Sequence, residues 1–177
     1  MKICITQGTG KGQTKMAAFD AALWSAGIAD FNLIKLSSII PPKSSIEVRK
    51  ADIEKEDNLG KKLYLVLSEK RESEIGREAW AGLGWVQAGD GRGIFVEQEG
   101  ASEKEVIRLI EETLSDMTRY RSGNFGKIRN QVIGVRCEDR PVCALVAAVY
   151  QIEDWAPTSV LKACPDIKES PATLHKK

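Results

Sequence analysis

The sequence predicts an α+β domain in which helices cover β-sheets, and three observations carry that expectation. Short runs of β-branched and aliphatic residues recur along the chain. Segments with three- and four-residue apolar spacing separate them. The order they produce is strand, glycine loop, helix, strand, then strand, helix, strand, then helix, strand, strand, which favours layers of helix on sheet. With 177 residues and 42% hydrophobic content, the chain fits one domain, assigned to residues 1–155, with residues 156–177 as a flexible C-terminal tail.

Residues 1–6 (MKICIT) read as the first strand. Gly8-Thr9-Gly10-Lys11-Gly12 follows; it lacks the spacing of a phosphate-binding loop or a dinucleotide fingerprint, so it reads as a flexible turn feeding a helix. That helix spans residues 14–26, with Met16, Phe19, Asp20 and Leu23 on one face and Gly27 as its stop. Residues 31–36 form a strand that Pro41-Pro42 halts, because two prolines fix φ and remove two backbone donors. The charged run 43–62 reads as a solvated loop or a turn of helix. Residues 63–67 (LYLVL) read as a buried strand, and 72–83 as a helix with Ile75, Ala79 and Leu83 on one face.

After the turn Ala88-Gly89-Asp90-Gly91, residues 93–98 form a strand whose period of two places Phe95, Glu97 and Glu99 on one face and Ile94 and Val96 on the other. Ser102-Glu103-Lys104-Glu105 is a capping box opening a helix to about residue 121, with Val106, Ile110, Leu114 and Met117 inward. Residues 127–137 and 142–150 read as a hairpin that brings Cys137 and Cys143 near one another, and 155–177 has no periodicity.

Composition narrows function. A net charge of +1 with few aromatic residues gives no cationic field with stacking residues, so nucleic acid is not the expected partner. No apolar run approaches the ~20 residues that span a bilayer, so no membrane partner is expected. The four cysteines lack C-x-x-C spacing and the N-terminus lacks signal-peptide order, so the expected location is cytoplasmic with reduced thiols. The single histidine, His175, argues against Ser-His-Asp or Cys-His catalysis and against a histidine-built metal site. If the chain is an enzyme, another electrophile carries the chemistry.

Three features offer candidates. Ser37-Ser38 stands where an apolar strand is forced to stop; it is either a turn or a peptide bond poised for attack by the neighbouring Ser38 hydroxyl. Asp20 interrupts an apolar stripe; it is either paired internally or open to a cationic ligand. Glu97 and Glu99 share a strand face, as solvent decoration or as an acid pair in which one pKa is raised.

The run NLIKLSSIIPP, preceded by AFDAALWSAGI and followed by FVEQEG, resembles the pyruvoyl-dependent arginine decarboxylases. The similarity extends from Gly8 to about Tyr150 and is densest over residues 18–42. The resemblance implies autocatalytic serinolysis between Ser37 and Ser38, giving chains 1–37 and 38–177 and a pyruvoyl group at Ser38, with no metal and no pyridoxal phosphate. It implies arginine as substrate, agmatine and CO₂ as products, and a place in polyamine biosynthesis or acid resistance. It selects Glu97 as proton donor in turnover, Asp20 as the guanidinium ligand, and Asn32 as a catalytic residue orienting the reacting carbonyl; because processing needs the Ser38 hydroxyl whereas product formation needs a proton donor, Glu97 is expected to be dispensable for cleavage. It implies a layered αββα sandwich, assembled as a trimer or dimer of trimers with active sites between neighbouring subunits. The charged run 43–62 departs from the family, where this segment is more apolar and contains proline. Two alternatives follow: a pyruvoyl-dependent decarboxylase of another amino acid, or an uncleaved, non-catalytic oligomeric ligand-binding domain.

Overall fold

Period-two burial and two amphipathic or small-residue helix faces generate the architecture of the computed structural model, which describes residues 1–53 and 56–155. In chain order the elements are β1 (Lys2–Lys11), α1 (Lys15–Ala26), β2 (Asn32–Lys35), β3 (Ile39–Ile40), β4 (Ser45–Val48), β5 (Lys62–Glu72), β6 (Glu78–Gln87), β7 (Gly93–Gly100), α2 (Glu103–Arg119), β8 (Arg129–Arg136) and β9 (Val142–Glu153). A 3₁₀ turn lies at Glu56–Asn58. The strands form one sheet of order β2-β5-β9-β1-β4 and a second of order β3-β7-β6-β8. β2 lies parallel to β5 and β4 parallel to β1; the other strand pairs are antiparallel.

Alternation along β9 shows the layering. Cys143, Leu145 and Ala147 pack with Ala18, Ala22 and Ala26 of α1, whereas Val146 and Ala148 pack with Leu83, Trp85 and Phe95 of the other sheet. On the far side of the second sheet, Val106, Ile110 and Leu114 of α2 bury Val86, Ile94 and Val96. The layers therefore run α1, five-stranded sheet, four-stranded sheet, α2: an αββα sandwich, as the resemblance implies. Both helices are capped as their sequences dictate. Thr14 Oγ1 accepts from Ala17 N–H, and Gly27 takes the left-handed conformation at the end of α1. At the start of α2, Ser102 Oγ accepts from Glu105 N–H while Glu105 Oε2 accepts from Ala101 N–H.

Several expectations are corrected. The glycine segment is not a turn: Gly8 and Gly10 belong to β1, and a Cβ on Gly10 would collide with the Ala18 carbonyl and the Ala22 amide of α1. That close approach selects the alanine face. α1 buries Ala18, Ala22, Leu23 and Ala26, while Met16 and Asp20 are exposed, so Asp20 does not sit on the buried stripe.

Residues 72–83 are not a helix but the end of β5, a turn and the start of β6. Ala79, Ala81, Leu83 and Trp85 face the space between the sheets, and Gly84 lies beneath Ile110 of α2. Nor do β8 and β9 form a hairpin. They belong to different sheets, and Cys143 faces α1 whereas Cys137 lies in the inter-sheet core. Within the run 43–62 the chain builds β4 and the 3₁₀ turn. The expected tail, 156–177, lies outside the described residues.

Candidate active site at the crossing between the sheets

β2 is an edge strand of the first sheet, and β3 is an edge strand of the second. Between them, Leu36, Ser37 and Ser38 carry the chain from one sheet to the other. Leu36 N–H still bonds Leu65 O at 2.9 Å, continuing the β2 ladder, and Ser38 O already accepts from Phe95 N–H at 2.8 Å, beginning the pairing with β7. Ser38 lies between these fixed points with φ of 65°, the left-handed region that a residue with a Cβ enters at a cost. The corner expected from the prolines is real, and its origin is the change of sheet.

Ser38 Oγ donates to Glu97 Oε1 at 2.6 Å. The two residues are 59 apart in sequence and meet because the Ser38 carbonyl anchors the corner to β7 two residues before Glu97. Period two on β7 holds as expected: Phe95 is in the inter-sheet core, while Ile94 and Val96 face α2. Beyond Phe95 the same face emerges from the core, which leaves Glu97 and Glu99 exposed.

Two cavities flank the corner. One, about 360 Å³, is lined by Leu36, Ser37, Ser38, Phe95, Glu97 and neighbouring residues of β7 and α2, including Met117. A second, about 380 Å³, shares Glu97 and Gln98 with the first and adds Lys35, Leu67, Ser68, Glu69 and Glu99. It exists because β2 leaves the sheet edge after Lys35 and no longer covers that part of β5. A larger cavity of about 600 Å³ lies elsewhere, by Trp24, Asp30 and Phe31, and contains no residue of the corner.

Tyr150 also reaches the site. Its hydroxyl donates to Ile39 O at 3.0 Å, and its ring meets Phe95 edge-on with centroids 6.3 Å apart. The β5–β9 register shifts beside it, so that Tyr64 pairs with Gln151 and Leu65 with Val149. The alternation that puts Val146 and Ala148 in the inter-sheet core continues to Tyr150, and the bulge beside it returns Ile152 to the α1 side. Burial, and secondarily the charge of Glu97, pushes the Tyr150 phenol above its ordinary range. It remains a protonated donor. No sequence motif marked this residue; an aromatic ending a strand reads as core.

Asp20 and Asn32 do not join this group within the subunit. Asp20 is exposed on α1, which covers the opposite face of the five-stranded sheet, and it lines neither cavity. Asn32 begins β2, at the end remote from Ser38, where its Nδ2 donates to Gly60 O at 2.6 Å.

The family described as pyruvoyl-dependent arginine decarboxylase matches residues 2–154. The chain belongs to that family. Among named pyruvoyl-dependent arginine decarboxylases, that of Methanopyrus kandleri is 32% identical over 155 residues, covering 84% of this chain and 94% of the relative. That of Thermococcus sibiricus is 29% identical over 150 residues, covering 84% and 93%. That of Picrophilus torridus is 38% identical over 89 residues, and there the match spans only 50% of this chain and 48% of the relative. Members of the family depend on a pyruvoyl group, and position 38 fits one. The carbonyl of residue 38 is already held by Phe95 N–H, its side chain faces a carboxylate, and a cavity opens in front of it.

Proposed function

We propose that this chain decarboxylates L-arginine to agmatine and CO₂, using a pyruvoyl group that it makes from Ser38 by cutting itself between Ser37 and Ser38. The observation that carries the reading is the 2.6 Å bond between Ser38 Oγ and Glu97 Oε1 at a serine held in the left-handed region. A carboxylate that takes the hydroxyl proton makes Oγ a nucleophile toward the Ser37 carbonyl carbon. The Ser37–Ser38 C–N bond breaks, an ester forms through Oγ, and the proton passes to the nitrogen, which becomes the amine of residue 38. Loss of the Ser38 α-proton then expels the Ser37 carboxylate by β-elimination. Hydrolysis of the resulting dehydroalanine releases the nitrogen as ammonia and leaves a keto oxygen.

The pyruvoyl ketone supplies an electron sink for the pair left behind when CO₂ departs. The protein's own groups do the rest. Phe95 N–H holds the carbonyl of residue 38, Glu97 returns a proton to the substrate α-carbon, and Leu36, Phe95 and Met117 supply apolar walls to the cavity. Asp20 and Asn32 serve the corner of an adjacent copy in a trimer or dimer of trimers. Their exposure and distance from their own Ser38 support this, as does the position of Met16, Asp20 and Trp24 along one exposed stripe of α1.

Intact-mass analysis of purified protein tests cleavage: the expected result is two chains, 1–37 and 38–177. A single unmodified chain in active material overturns it. Measuring CO₂ release from arginine, ornithine, lysine, histidine and aspartate tests the substrate; preference for any but arginine overturns that part.

A further inference from the structure

We infer that Tyr150 holds the new chain end in place once the chain has cut itself, a positioning role that rests on the self-cleavage reading above. Before the cut, residues 36–38 join β2 of the first sheet covalently to β3 of the second. Breaking the Ser37–Ser38 bond removes that tie. Residue 38 then begins a free end that leads into a two-residue edge strand, Ile39–Ile40, and Pro41-Pro42 supplies no backbone N–H to lengthen the ladder. Such an end frays unless it is tied down.

Hydrogen bonds from both sheets survive the cut. From the second sheet, Phe95 N–H holds the carbonyl of residue 38 at 2.8 Å, and β7 pairs Ile94 with Ile39 and Gly93 with Ile40. From the first sheet, the Tyr150 hydroxyl crosses the gap and donates to Ile39 O at 3.0 Å. Among the described residues it is the only hydrogen bond from that sheet to β3. Packing keeps the phenol aimed: its ring meets Phe95 edge-on, and Phe95 in turn meets Trp85 with centroids 6.2 Å apart. Tyr150 lines neither cavity of the corner, so it acts through Ile39 and not on the substrate. In the precursor, the covalent crossing and the Leu36 bond to β5 fix the corner without its help. In the cut protein, the placing of residue 38 against Glu97 rests on β7 and on Tyr150.

The test is Tyr150→Phe, which keeps the ring and removes only the hydroxyl, made both in the self-cutting chain and in a Ser38→Ala chain that has no nucleophile with which to cut. Amide hydrogen exchange at Phe95, whose N–H is held by residue 38, reads the chain end directly. In the cut protein, Tyr150→Phe is expected to speed that exchange roughly 5- to 10-fold, as loss of one neutral hydrogen bond requires, and in the uncut pair to change it less than about 2-fold. Self-cleavage on denaturing gels keeps its rate within about 2-fold, whereas kcat for CO₂ release by fully cut Tyr150→Phe falls roughly 5- to 10-fold with KM little changed. Tyr150→Met, which also lacks the hydroxyl, stands in if Tyr150→Phe fails to fold, because comparing cut with uncut cancels the loss of packing. Equal rises in exchange in cut and uncut chains make Tyr150 a packing residue and overturn the inference. So does unchanged exchange or kcat in the cut chain, or cleavage slowed as much as turnover. A Phe95 effect confined to the cut chain, in a protein that releases no CO₂ from arginine, keeps Tyr150 as the anchor and defeats the arginine reading alone. An unsubstituted chain that never cuts defeats both.

Discussion

Glu97→Gln keeps the shape of the side chain and one acceptor oxygen while removing its ability to take a proton, so it separates holding from proton transfer. If the carboxylate only holds the Ser38 hydroxyl, the substitution exchanges a charge-assisted bond of ~1.5–3 kcal/mol for a neutral one of ~1 kcal/mol. The difference is at most ~2 kcal/mol, or about 30-fold in the rate of self-cleavage. If instead Glu97 accepts the proton as Oγ attacks, cleavage slows by roughly 10²–10⁴-fold. The 2.6 Å separation lies in the short range of O–H···O⁻ bonds, and the second outcome is expected. The family resemblance by itself assigned Glu97 only to turnover; we propose it for cleavage as well, because its carboxylate accepts from the Ser38 hydroxyl. The assay is a time course of refolded precursor on denaturing gels with intact-mass confirmation, following loss of the 19.5 kDa chain. Cleavage of E97Q within about 30-fold of the unsubstituted rate refutes the proton-acceptor role.

Tyr150→Phe should remove the phenol that ionises above the ordinary range. Because the folded pKa is raised above the unfolded value, the folded state retains a proton that the unfolded chain gives up. Stability therefore falls as pH climbs through the unfolded value toward the folded one, and this loss should flatten in Y150F; loss of a phenolate absorbance step at the ordinary tyrosine pH in folded Y150F contradicts the burial. Asp20→Asn should leave the melting temperature unchanged, since Asp20 is exposed, yet raise KM for arginine roughly 10- to 100-fold. Unaltered arginine kinetics remove Asp20 from the site. Gly84→Ala drives a Cβ into Ile110 of α2 and should cost ~1–3 kcal/mol, read as a lower urea midpoint at unchanged slope. A stability equal to the unsubstituted chain contradicts the packing of α2 on β6.

Where local chemistry determines structure, the sequence was readable. The Ser102–Glu105 capping box, the Gly27 stop and the alternation along 93–98 all behave as written. Failures came where a distant partner decides. Glycines in β1 and β6 looked like loop or helix residues because their purpose is to admit α1 and α2, which no local window contains. The spacing of Ile75, Ala79 and Leu83 mimicked a helix, yet Ile75 is exposed in a turn. At the site, Ser38 and Glu97 were legible as a pair only through family resemblance. Tyr150 was invisible because the groups that give it a place at the site, the Ile39 carbonyl and the Phe95 ring, lie on distant strands. Asp20 was placed on the apolar stripe of its helix because helical spacing cannot say which face meets the sheet; the alanines could, given the glycines opposite.

The crossing between sheets explains why a serine, and not a glycine, occupies a left-handed position. β2 ends at Lys35 and β3 begins at Ile39, so only residues 36–38 span the gap. Packed sheets lie ~10 Å apart, and the four Cα–Cα steps from Lys35 to Ile39 reach about 13 Å when extended, so the crossing is short. Its conformation is imposed by the Leu36 bond to β5 and the Ser38 bond to β7, not chosen by Ser38. Glycine would accept that geometry at less cost but would bring no hydroxyl to Glu97. The strain of a non-glycine residue there is of order 1–3 kcal/mol, so its release accelerates attack by at most about 10²-fold. That is too little to cut a peptide bond unaided. If the chain cuts itself as proposed, the larger factor must come from proton transfer to Glu97, and self-cleavage then turns more on the acid of β7 than on the tension of the corner.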